Sequence, residues 1–202
     1  YMFQEANSFN KPLEEWKVSN VTTMEHMFRD AKNFNQPLEK WDVSNVTNMQ
    51  GMFGYTDCFD QPLEEWKVSN VTNMSYMFQE TRGFTQPLEK WDVSNVTRME
   101  GMFQEAYDWD QPLGQWDVSN VTDMSEMFKE TLEFNQPLEN WNVSNVTRMV
   151  GMFQDAESFN QSLTEWKLHP DVSTEGMFDG ATNFDEDKNG VKFFNSFSVI
   201  CV

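Results

Sequence analysis

One feature outweighs every other in this chain: it repeats itself every 25 residues. The dipeptide Met-Phe begins at Met2, Met27, Met52, Met77, Met102, Met127, Met152 and Met177, with no insertion between any two copies. Trp16, Trp41, Trp66, Trp91, Trp116, Trp141 and Trp166 keep the same step. Pro-Leu pairs follow it from Pro12-Leu13 to Pro137-Leu138, and Ser162-Leu163 takes the seventh place. A unit this short cannot bury an apolar face alone, so its copies must stack and share one core. The columns of Met, Phe and Trp are therefore read as core packing rather than as a cofactor box.

Each unit reads in two halves. In Thr22 to Lys32, Thr22 and Glu25 have the spacing of a capping box. Met24, Met27, Phe28 and Ala31 follow at i, i+3, i+4 and i+7, the stripe of a short amphipathic helix. Phe34-Asn35-Gln36-Pro37 then turns the chain, because proline ends a helix and favours an extended approach. In Leu38 to Val43, Trp41 and Val43 alternate with Lys40 and Asp42, the period of a strand. The period lies in the range of leucine-rich repeats. The expected fold is an α/β solenoid, leucine-rich-repeat-like, with one short parallel strand and one short helix per 25-residue coil. Residues 1–184 form the array, with an incomplete first unit, and 185–202 form a capping or assembly segment. Asn45 and its equivalents are expected to bond backbone across coils and to be buried. The Asn-Val-Thr sequons they head would then stay unmodified.

The chain has 202 residues, 39% hydrophobic and 15% aromatic, so a large core is affordable despite a formal charge of −19. That acidity argues against nucleic acid, which wants a basic stripe, and against anionic membrane surfaces. No run approaches the roughly 20 apolar residues of a membrane span. Cys58 and Cys201 stand in unrelated contexts and give no disulfide framework. No Ser/His/Asp set, metal-ligand constellation or phosphate loop is visible, and His26 and His169 are isolated. The chain reads as non-catalytic.

The unit Met-Phe…Phe-Asn-Gln-Pro-Leu-x-x-Trp-Asp-Val-Ser-Asn-Val-Thr-x-Met, clearest over Phe34 to Met49, resembles the BspA-like leucine-rich-repeat surface proteins. These occur on bacterial surfaces, including those of mycoplasmas, and in some protists. The likeness covers Tyr1 to about Phe184. It implies a fold exposed outside the cell, linked to adhesion or protein binding, and it carries over no catalytic residue. Units seven and eight depart from the pattern: Trp166-Lys167-Leu168-His169-Pro170 replaces Ser-Asn-Val-Thr, and the eighth unit lacks Pro-Leu and Trp. These ends read as a degenerate cap. The start, inside a repeat, reads as an array cut from a longer one or an open end that meets another molecule.

Variable outward positions carry function in such arrays. On the strand face they make two columns: Glu15, Lys40, Glu65, Lys90, Gln115 and Asn140 in one, Lys17, Asp42, Lys67, Asp92, Asp117 and Asn142 in the other. Charge signs alternate along and across them in the first four units, which serves register and solubility or a protein partner. Acid gathers in a column of Glu14, Glu39, Glu64, Glu89 and Glu139, and in another of Glu5, Asp30, Glu80, Glu105, Glu130 and Asp155, which read as a solvated acidic face or as columns that attract divalent cations or a basic partner. Asp185-x-Asp187-x-Asn189-Gly190 has the start of a calcium loop, with Ser196 where the bidentate glutamate would stand; a plain turn at Asn189-Gly190 is the competing reading. No other cofactor is implied. The expected function is an extracellular or cell-surface protein-interaction or adhesion module, whose partner is another protein or copies of itself. The alternative is a structural repeat that stacks end to end into filaments or a sheath. The apolar tail from Val191 is expected to cover the last coil or to be donated to a neighbour.

Overall fold

Where the backbone donors point decides the architecture. A computed structural model describes residues 1–191. In each repeat, every second N–H across the Met-Phe segment leaves its own unit. Those of Met49, Gly51, Phe53 and Tyr55 donate to the carbonyls of Asn73, Ser75, Met77 and Gln79 in the next repeat, at 2.7–3.0 Å. The intervening donors close locally onto the third residue back, as Met52 does to Met49, Gly54 to Gly51 and Thr56 to Phe53. Each N–H has one bond to give, and none remains for the i→i−4 ladder of a helix.

The expected α/β fold is therefore overturned. The only α-helix among the described residues is α1, Glu186–Asn189, and no β-strand forms. Six isolated parallel bridges run Thr23–Asn48–Asn73–Arg98–Asp123–Arg148–Ser173, in the other half of the unit from the expected strand. Over Leu38 to Val46 the chain makes two tight turns instead, with Trp41 N–H donating to Leu38 and Val46 N–H to Val43. The capping box also fails. The Thr47 hydroxyl, the equivalent of Thr22, donates to the Thr22 carbonyl of the repeat before it at 3.2 Å.

Turns take the helix's place through positive φ. Two left-handed residues, four apart, recur in each unit, such as Gly51 (+58°) with Tyr55 (+61°) and Tyr76 (+58°) with Glu80 (+50°). Each is the third residue of a hydrogen-bonded four-residue turn, the position where a type II turn needs φ > 0. The segment still buries the expected stripe: Met24, Met27, Phe28 and Ala31 are all inside. Successive turns bring residues i, i+3, i+4 and i+7 to one side much as a helix does. Ten of the left-handed residues are not glycine. Each such residue costs about 1–2 kcal/mol, which the shared core and the inter-repeat bonds must offset.

That core is aromatic. Phe28, Phe53, Phe78, Phe103, Phe128 and Phe153 form one fully buried column; Phe34, Phe59, Phe84, Trp109, Phe134 and Phe159 form the other. Within a repeat the two rings stack closely, 4.1 Å between the centroids of Phe28 and Phe34. Along a column neighbours lie 5.7 Å apart at Phe28–Phe53 and 6.0 Å at Phe34–Phe59. Offset stacking adds about 0.5–1.5 kcal/mol per pair beyond the area buried. The tryptophans seal the core and stitch it together. Trp41 Nε1 donates to the Leu13 carbonyl at 2.9 Å, and Trp66, Trp91, Trp116, Trp141 and Trp166 repeat the bond 28 residues back.

A side-chain ladder holds the corner before Pro-Leu. Asn35 Oδ1 accepts from Asp60 N–H at 3.1 Å and from Gln61 Nε2 at 2.7 Å, and Asn10, Asp60, Asp110 and Asn135 receive equivalent pairs. The Asn45 column behaves as a second ladder. Its Nδ2 groups donate to serine carbonyls one repeat back, Asn45 to Ser19 at 2.8 Å and Asn70 to Ser44 at 2.7 Å. These asparagines bond across repeats as expected, but they are exposed rather than buried.

Candidate interaction faces

The Trp half of the repeat makes one outer face. Leu38–Trp41 and Val43–Val46 are turns that bury their first and last residues, and where they meet, Lys40 to Val43 alternates outside and in as a strand would. All twelve residues of the two outward columns, from Glu15 and Lys17 to Asn140 and Asn142, are exposed. The first column pairs. Lys40 Nζ lies 2.8 Å from Glu14 and 3.9 Å from Glu15, and Lys90 Nζ lies 3.1 Å from Glu64 and 3.0 Å from Glu65. Glu15 and Glu65 remain 90% and 77% exposed, so each pair contributes about 0–1 kcal/mol. The second column is spent locally. Asp42 Oδ1 accepts from the Ser44 hydroxyl and backbone N–H, which holds its carboxyl below the ordinary range, helped by Lys67. Asp92, Asp117 and Asn142 cap their serines in the same way.

The Met-Phe half makes another face, of which the sequence reading singled out the acidic column but not the tyrosines and arginines beside it. All four tyrosines and all four arginines of the chain, namely Tyr1, Tyr55, Tyr76, Tyr107, Arg29, Arg82, Arg98 and Arg148, occupy positions equivalent to 23–32. The Trp face carries lysines and no arginine, and Lys32 and Lys129 lie on this one. Here the rings and guanidinium groups lie down on the turns: Arg29 sits 4.7 Å over the Tyr55 ring and Arg82 5.1 Å over Tyr107, contacts worth about 0.5–1 kcal/mol when exposed. Tyr76 covers the backbone of Gly101, where an added Cβ would meet its ring at 2.4 Å, and His26 covers Gly51 at 2.3 Å. Large residue and glycine thus alternate along this column through His26, Gly51, Tyr76, Gly101, Glu126 and Gly151, a two-repeat period laid over the 25-residue one. The glycines at 51, 101 and 151 were legible as a two-unit period, which Gly176 ends, but the large side chains lying on them were not.

Charges on this face pair unevenly. Arg82 reaches Glu80 at 3.5 Å, Arg98 reaches Glu100 at 3.3 Å, and Arg148 lies 3.7 Å from the buried Asp123. Glu105, Glu130 and Asp155, one above another, make no ion pair among the described residues. Burial raises the Glu130 carboxyl above the ordinary range, Glu105 and Asp155 push it further, and Lys129 offsets part of the rise.

The calcium-loop residues diverge. Asp185 is the N-cap of α1, its Oδ1 accepting from Lys188 N–H at 3.1 Å. Asn189 is buried, with its Nδ2 donating to Asn160 Oδ1 at 2.7 Å. The side chains of Asp185 and Asn189 are thus committed to a cap and to the core, and Asp187 lies in the helical turn between them. At Asn189-Gly190 the chain closes the helical turn of α1, with the Gly190 N–H donating to the Glu186 carbonyl at 2.9 Å. No group of three or more His, Cys, Asp or Glu among the described residues is placed to hold a metal. Ser196 and the tail after Val191 lie outside the described residues. No described helix is long and apolar enough to cross a membrane.

Shared core, inter-repeat bonds and two differing faces together define a tandem-repeat protein. More narrowly, the chain belongs to the family described as Mycoplasma protein of unknown function, DUF285, whose model matches residues 1–107 and again 80–191. The two overlapping matches follow from the repetition itself. No curated protein and no solved structure matches the chain.

Proposed function

We propose that this chain is a non-catalytic protein-interaction or adhesion module displayed outside the cell. One observation carries the reading: the repeats hold their buried frame nearly constant while the exposed positions on that frame change from unit to unit. A frame kept rigid by aromatic stacking presents those positions at fixed spacing, which favours recognition of an extended partner. Likeness of the repeat unit to BspA-like surface proteins supports placement on the cell surface. Antibody against the chain, applied to intact and to permeabilised source cells, tests that placement. Labelling only after permeabilisation refutes it.

The second reading is a structural element stacked end to end. Its support is that each repeat already bonds a near copy of itself through four backbone N–H groups and an aromatic stack, the contact that stacked arrays would repeat. Light scattering over a wide concentration range separates the two. A constant monomer mass supports the module, and concentration-dependent growth into rods supports the stack.

A further inference from the structure

The Met-Phe face offers what a docking surface needs and the Trp face lacks. Tyrosine and arginine are the residues that concentrate binding energy at protein interfaces, and this chain confines both to one face. Their side chains are already held. Tyr55, Tyr76 and Tyr107 are half-buried, and Arg29 and Arg82 rest on aromatic rings. Ordering a rotamer-rich side chain on binding costs about 0.5–1.5 kcal/mol, and here much of that ordering precedes the partner. On the Trp face the long side chains of Glu15, Glu65 and Lys90 extend into solvent, so a partner there would have to order them.

Charge selects the partner. Beside Tyr107, whose hydroxyl donates to Glu105 at 3.3 Å, the column of Glu105, Glu130 and Asp155 makes no ion pair among the described residues, and the charge of Lys129 offsets that of its neighbours on Glu130 only in part. Metal is the weaker fit, since these carboxylates are not grouped to ligate one. A nucleic acid or anionic lipid would be repelled.

We propose that the face formed by Tyr76, Tyr107, Glu105, Glu130 and Asp155 binds an extended, arginine- or lysine-rich segment of another protein, laid along the stack across successive repeats. This rests on the interaction-module reading. The basic side chains neutralise the carboxylates, and the half-buried tyrosine rings supply apolar cover beside them.

Fluorescence anisotropy with a short labelled peptide of alternating Arg and Gly, titrated with the full chain at physiological salt, tests it. Two variants remove equal charge: Glu105→Gln with Glu130→Gln and Asp155→Asn on this face, and Glu39→Gln with Glu89→Gln and Glu139→Gln on the Trp face. The first set is expected to weaken binding about tenfold or more, the second less than about twofold. Tyr107→Ala is expected to weaken it several-fold, with tryptophan fluorescence checking that each variant is folded. Equal loss in both sets would mean undirected attraction to an acidic protein and overturns the face. So does a wild-type chain that leaves the peptide free at millimolar concentration. Either result in a monomeric protein leaves the module reading standing, whereas growth into rods overturns that reading by itself.

Discussion

Gly101 and Gly151 occupy the same place in the repeat, with φ of +57° and +59°, but they have different neighbours. An alanine at either one must adopt the left-handed conformation, at about 1–2 kcal/mol. At Gly151 the new Cβ meets only the movable end of Gln154, at 3.2 Å. At Gly101 it meets Cδ1 and Cε1 of Tyr76, both at 2.4 Å. Carbon atoms pack at about 3.5–4.0 Å, so the ring must retreat by more than about 1 Å. Overpacking of this kind costs about 1–3 kcal/mol. Gly151→Ala should therefore cost about 1–2 kcal/mol and Gly101→Ala about 2–5 kcal/mol. The backbone cost cancels in the difference, leaving the steric one. Urea unfolding followed by tryptophan fluorescence measures both. In a Tyr76→Ala background the excess at Gly101 should vanish, because only Gln104 Oε1 remains, at 3.3 Å, much as Gln154 does at Gly151. Equal costs at the two glycines, or an excess that survives Tyr76→Ala, would refute the ring-over-glycine packing.

Three further outcomes follow from buried and charged groups. The hydroxyl of Ser75 is buried without a hydrogen-bond partner, so Ser75→Ala should stabilise by up to about 1 kcal/mol, read as a raised urea midpoint; a lowered midpoint would show that the hydroxyl is bonded. Glu130 has its carboxyl pKa raised by burial and by its acidic neighbours. The folded state therefore binds that proton more tightly than the unfolded chain. Its ionisation weakens the fold as pH rises through the unfolded and then the folded pKa. Glu130→Gln should stabilise modestly at neutral pH, with the gain fading as pH falls below the carboxylate range; a gain independent of pH would remove charge as the cause. Trp91→Phe deletes the indole bond to the Leu63 carbonyl and part of a buried ring. It should cost about 2–4 kcal/mol, whereas the exposed Trp16 should tolerate the same change with less than about 1 kcal/mol, measured in the same assay.

The surface was harder to read than the core. The outward columns from Glu15 to Asn142 follow from simple alternation, which a pair of tight turns satisfies as well as a strand, so their exposure was legible. Tyr76 lying across Gly101 was not, because that contact joins residues one repeat apart and depends on left-handed turns that no propensity announces for tyrosine. The attraction of Lys40 to Glu15 was anticipated in sign, but its closer contact with Glu14 and the use of Asp42 to hold Ser44 were not. A carboxylate two residues before a serine has a nearer donor than any lysine in the next unit.

By itself the sequence determined which residues go inside. A fixed 25-residue step puts Met, Phe, Leu, Trp and Val in columns, and only stacking lets such short units bury them. It did not determine the backbone between those columns. Met24, Met27, Phe28 and Ala31 suit a helix on local grounds, and an isolated repeat has no other taker for their N–H groups. Tertiary structure supplies one. With a neighbouring repeat in place, alternate donors find carbonyls across the stack, the remaining ones close tight turns, and the helix loses the bonds that would have defined it.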